Sequence, residues 1–140
     1  MNGETNLQTL LHSMQPIQNE GVFVFCTLKS APGELDQVLL LFREAEGITV
    51  IVNKDFADQK GYDYQSTFAW LTLQVHSALE AVGLTAAFAQ ALTLENISCN
   101  VVAGFYHDHI FVPHTQAENA MRTLQKLAQS APIPPSPFHK

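Results

Sequence analysis

Positive charge is scarce in this chain: 7 lysines and arginines stand against 13 aspartates and glutamates in 140 residues, a formal net charge of -6. Binding to a phosphate backbone or an anionic lipid surface rests on clustered cations, so this balance argues against nucleic acid and membrane as partners. Cysteine is scarce too. Cys26 and Cys99 lie inside apolar runs, where a reduced thiol behaves as a small hydrophobe, and no disulfide framework is expected. No stretch approaches the roughly 20 consecutive apolar residues that span a bilayer. Residues 1–15 show no basic segment followed by an apolar core. These absences together predict a cytoplasmic protein.

What the chain does have is hydrophobic content, 46% of its residues, enough for one good core or two small ones. Within residues 4–14, Leu7, Leu10, Leu11 and Met14 recur at helical spacing, and Pro16 closes the segment. Residues 22–28 are β-branched and aromatic, then 29–33 break the run with turn formers, which predicts a strand and a loop. Two short apolar runs, 38–43 and 48–52, flank Glu44-Ala45-Glu46-Gly47 and read as a hairpin, with Gly47 expected at a positive φ. Residues 55–60 hold one or two helical turns, and the polar stretch 61–65 marks a module boundary.

The second half repeats the plan more fully. Residues 67–76 alternate, with Ala69, Leu71, Leu73 and Val75 on one face and Phe68, Trp70, Thr72, Gln74 and His76 on the other. Leu84, Ala87, Phe88, Ala91 and Leu92 mark a helix that ends at Glu95-Asn96. Cys99, Val101 and Ala103 point one way on a strand, Tyr106-His107-Asp108 turns the chain, and residues 109–112 return. Thr115 and Glu118 have capping-box spacing, ahead of a stripe from Ala117 to Ala128 that predicts a last helix. The tail, residues 131–140, carries four prolines and is expected to be loosely held.

Strand, helix, hairpin, helix over 66–130 is most of the ferredoxin-like βαββαβ plan, an antiparallel sheet with helices on one face. The expectation is an α+β chain of two such modules: a reduced one with a leading helix at 1–65, and a fuller one at 66–130. Phe68 and Trp70 would lie on the face left bare by the helices, which predicts a homodimer.

Residues 75–86, with His76-Ser77 and Val82-Gly83-Leu84-Thr85, then 96–104 and 107–112, resemble the ACT domain. So does 41–52 in the first half. The likeness covers about residues 20–128 and is nearest to a bacterial group with two ACT modules per chain. More distantly it extends to eukaryotic arginine sensors and to the ACT pairs of aspartokinases. It implies a regulatory protein, not an enzyme, that needs no cofactor. An amino acid or related metabolite would bind where modules meet, with His76, Ser77, Val82, Gly83, Leu84, Thr85 and Asp108 at the matching positions. The chain departs from the arginine sensors at His107-Asp108-His109, where they have Thr-Asp before the same apolar strand.

The residue chemistry is compatible with that implication. A helix opening at Gly83 presents unpaired amides and a positive dipole end to a carboxylate, with glycine allowing close approach. His76 and Ser77 are neighbours at a strand end, poorly placed to serve as base and nucleophile. His107, His109 and His114 with Asp108 offer metal-ligand chemistry in principle, but no Cys pair or helical His motif supports it, and a hydrogen-bonded turn is expected instead. Glu44, Glu46, Asp55 and Asp58 fall at element ends, where carboxylates are solvated or one of them meets a ligand's cationic group across a module interface. The alternative function is a ligand-free ACT module that regulates a partner enzyme or transporter.

Overall fold

The computed structural model describes residues 6–75 and 82–130. Helix α1 (Leu7–Ser13) begins where the Asn6 side chain accepts from the Thr9 amide at 3.0 Å, satisfying one of the donors that a helix start leaves over. Then come β1 (Gln15–Gln18), β2 (Phe23–Leu28), β3 (Val38–Arg43), β4 (Ile48–Asn53) and α2 (Lys54–Lys60). The second half runs β5 (Phe68–Gln74), α3 (Leu84–Leu94), β6 (Asn100–Ala103), β7 (Asp108–Pro113) and α4 (Ala117–Ser130). All strands pair antiparallel in one sheet of order β3-β4-β2-β5-β7-β6, with β1 lying along β5 as well.

Alternation along the strands builds two cores on one face of this sheet. Ala69, Leu71 and Leu73 of β5, with Ile110 and Val112 of β7, pack against Leu84, Phe88 and Leu92 of α3 and Ala120 and Leu124 of α4. Val24, Cys26, Val50 and Val52 pack against Phe56 and Ala57 of α2. The chain is thus α+β, two ferredoxin-like modules with helices on one face.

The second module is completed from the other end of the chain. β1 pairs residues 15–18 with 74–71, so the N-terminal segment provides the final strand that 66–130 lacks. Helix α1 travels with it: Leu10, Leu11 and Met14 join the core under α3 and α4, not the one under α2. The helix expected to lead the first module is therefore packed in the second. Pro16 does not simply close that helix either. It sits inside β1, whose other edge has no strand beside it among the described residues, a place where a missing N–H is tolerated. In the first module, residues 29–37 contribute one 3-10 turn (Leu35–Gln37) where the plan has a helix, and its last strand is reduced to the pairing of Phe68 with Phe23.

Three local expectations are corrected. Gly47 is not among the positive-φ glycines. It is required because a Cβ there would stand 2.7 Å from Thr27 Oγ1, so the hairpin end lies hard against β2. Thr115 does not cap α4: it lies in a 3-10 turn (His114–Gln116) that winds directly into the helix, with the Ala117 amide bonded to the His114 carbonyl, while Glu118 pairs with Arg122 at 3.3 Å. The face with Phe68 and Trp70 is not bare. The sheet curls so that Leu39 and Leu40 of one edge strand share a hollow with Val102 and Gly104 near the other. Phe68 and Trp70 are half-buried there with Phe23, Ile51 and Phe111, Phe23 meeting Trp70 edge-on at 5.5 Å.

Candidate ligand site

Helix α3 starts at Gly83, which takes φ +98, a left-handed conformation that side chains disfavour. Its carbonyl accepts from the Ala87 amide at 2.9 Å and closes the first turn. Among the described residues no side chain caps the helix, and no acidic residue stands in its first turn. The first turn, Leu84, Thr85 and Ala86, therefore carries free backbone amides and the positive end of the helix dipole, with Thr85 and Ala86 at the surface. Val82 and Thr85 are exposed, whereas Leu84 is buried in the core, so its side chain is not available to a ligand. His76 and Ser77 lie outside the described residues.

Asp108 opens β7, paired with Leu73 on one side and Ala103 on the other. It is 8% exposed, and its side chain makes no hydrogen bond or ion pair among the described residues. Burial raises its pKa above the ordinary 3.8, with His109 and His107 pulling weakly the other way. Pairing with Leu73 puts Asp108 on the helix-facing side of the sheet, at the end where β5 runs out toward α3. The start of β7, the end of β5 and the start of α3 share that end of the module.

The three histidines separate. His107 closes the β6–β7 turn, its carbonyl accepting from the Gly104 amide at 2.9 Å, and its Nδ1 is buried with no partner among the described residues. His109 lies on the opposite sheet face from Asp108. Its Nδ1 receives the Trp70 indole N–H at 3.0 Å, and the Thr72 hydroxyl sits 3.1 Å away. An indole N–H only donates, so Nδ1 must accept and the ring is neutral with its proton on Nε2. Asn19, which the sequence reading did not single out, donates to the Thr72 hydroxyl at 2.8 Å and binds the Trp70 carbonyl, fastening the link between β1 and β2 to this network. The only signal for it was Thr72, a polar residue in an apolar strand. His114 is exposed. Among the described residues no three of His, Cys, Asp and Glu come together in a way that could hold a metal ion.

Residues 2–69 and 65–126 each match the ACT domain. A Vibrio cholerae protein of unknown function, described as a possible transport protein, is 46% identical, covering 88% of this chain and 96% of its own, with a TM-score of 0.80. The chain belongs to the ACT-domain family. Two tandem ACT modules account for all of its described elements. The fold is shared with an Agobacterium tumefaciens protein at 17% identity and TM-score 0.68, covering 91% of this chain and 98% of that one. It is shared too with the ligand-free regulatory subunit of aspartate kinase from Thermus thermophilus, at 12% identity and TM-score 0.58, covering 81% and 97%. No protein of curated function matches the sequence. ACT domains are in general regulatory modules that bind amino acids, and no helix among the described residues is long and apolar enough to cross a membrane.

Proposed function

We propose that this ACT pair is a regulatory sensor, not an enzyme, that binds an amino acid at the α3 end of its second module. The observation that carries the reading is Asp108, a residue 8% exposed whose side chain has no partner among the described residues, at the same end of the module as the start of α3, which no described side chain caps. An ionised carboxylate held largely out of water without a partner is costly. An α-amino acid answers both demands at once: its ammonium pairs with Asp108 and its carboxylate is received by the amides of Leu84 and Thr85, beside Gly83. Val82 is exposed beside this helix start, and His76 and Ser77 are the further positions that the family resemblance implies. A second copy of the chain, placed against this end, encloses the ligand between modules, and no cofactor takes part.

A thermal-shift screen of the purified protein against the proteinogenic amino acids tests the reading. A ligand at a hundredfold excess over its dissociation constant adds about 2.7 kcal/mol of stability, and that gain is expected to vanish in Asp108→Asn. Light scattering that shows a monomer with and without ligand would remove the second copy from the site. No stabilisation by any amino acid would favour the ligand-free interaction module.

A further inference from the structure

We propose a second ligand site, for a small organic cation with an apolar body, in the cleft along the open edge of β2. The first module lacks a full last strand, and beyond the pairing of Phe23 with Phe68 no strand lies along that edge among the described residues. What remains is a cleft of about 680 Å³ between residues 25–27 of β2 and the connection 63–66, with Asn100 of the second module on its wall. The strand edge there lends its own backbone donors and acceptors to whatever enters.

The walls select a cation. Phe25 and Phe68, in edge-to-face contact at 5.0 Å, form an aromatic surface. Glu44 and Asp63 bring two carboxylates, and Thr27 and Thr49 line the cleft with them. Glu44 accepts from the Thr49 hydroxyl, which fixes its direction. Asp63 is held by its neighbours: the Tyr62 amide bonds to the Ala57 carbonyl at 2.9 Å and the Tyr64 hydroxyl donates to Asp58 at 2.7 Å. Its charge is felt inside the cleft, where it adds to burial in raising the Cys26 thiol pKa. The ion pairs of the described residues are Lys54–Asp58, Lys60–Glu34 and Arg122–Glu118, so neither cleft carboxylate has a cationic partner, and no Lys or Arg lines the cleft. Carboxylates and aromatic rings in one cleft favour an ammonium or guanidinium whose carbon body can lie on the rings.

Phenethylamine is the probe, with 2-phenylethanol as the neutral analogue and phenylacetate as the anionic one, each titrated calorimetrically into the full chain. The amine is expected to bind saturably, in the millimolar range or tighter, more weakly as salt is added, and more tightly than either analogue. Both carboxylates are exposed, so Glu44→Gln and Asp63→Asn leave the fold intact. The double variant is expected to lose about tenfold or more in affinity. Asp108→Asn is expected to leave amine binding unchanged, which separates this site from the one at α3. Equal binding of the alcohol, undiminished binding by the double variant, or no saturable binding of the amine would each overturn the proposal.

Discussion

A methyl group of Leu7 stands where a side chain on Gly83 would begin: a Cβ built on Gly83 would lie 3.1 Å from Leu7 Cδ2. The glycine that opens α3 is therefore held twice, by its φ of +98 and by the helix from the other end of the chain. Gly83→Ala is expected to cost about 1–2 kcal/mol in urea denaturation, from backbone strain plus the crowded contact. Leu7→Ala in the same chain should relieve the crowding and leave the strain. Full recovery would show that the conformation at Gly83 costs nothing. The same strain makes a branched residue at Gly83 a poor test of ligand binding, since it disturbs the fold as well as the site.

Asp108→Asn separates stability from binding. The folded pKa of Asp108 lies above its unfolded value of 3.8. Its contribution to stability is thus fully present below pH 3.8 and lost as pH rises through the folded pKa. An amide of the same shape escapes that loss, so Asp108→Asn is expected to be more stable than the parent at pH 7, by on the order of 1 kcal/mol. The advantage should disappear toward pH 3. The variant should gain nothing from an amino acid that stabilises the parent. A variant less stable at pH 7 would mean that the carboxylate already has a partner in the free protein.

Helix α4, whose stripe from Ala117 to Ala128 recurs at helical spacing, and β5, with its strict alternation, were legible because each pattern is local. β1 was not. Gln15-Pro16-Ile17-Gln18 has neither alternation nor strand-forming composition, and what makes it a strand is β5, more than fifty residues away. Gly47 was read as a turn former, whereas its real constraint is Thr27 across the sheet. Resemblance to the family singled out Asp108, but its burial without a partner is a property of the folded chain. The partners of His109 are 37 and 39 residues distant in sequence, out of reach of any spacing rule.

The interlocked N-terminus predicts where damage travels. Leu10 is 1% exposed in the core beneath α3 and α4, so Leu10→Ala is expected to cost about 2–5 kcal/mol. In native-state hydrogen exchange the loss of protection should fall first on β5, β7 and α4 and spare the hairpin of β3 and β4. Protection lost first in that hairpin would place α1 with the first module instead.

His109 makes stability depend on pH in the opposite sense to Asp108. Burial first, and the charge of His107 second, hold its folded pKa below 6.5, against a smaller upward pull from Asp108. Protonation would also put a hydrogen on Nδ1, where Trp70 and Thr72 both point, and turn an acceptor into a donor facing a donor. Because the unfolded chain takes up this proton more readily than the folded one, the contribution of His109 is fully present above pH 6.5. It is lost as pH falls through the window between 6.5 and the depressed folded value. His109→Gln keeps a hydrogen-bonding side chain but cannot titrate in that range. The difference between the urea midpoints of parent and variant is therefore expected to grow in the parent's favour from pH 5 to 6.5 and to stay level above. Removing the neighbouring charge with His107→Ala should raise the folded pKa of His109 and narrow the window, a change that NMR titration of the imidazole reads directly. A parent and a His109→Gln variant whose midpoints run parallel across that range would show that the Trp70 contact exerts no hold on the protonation of His109.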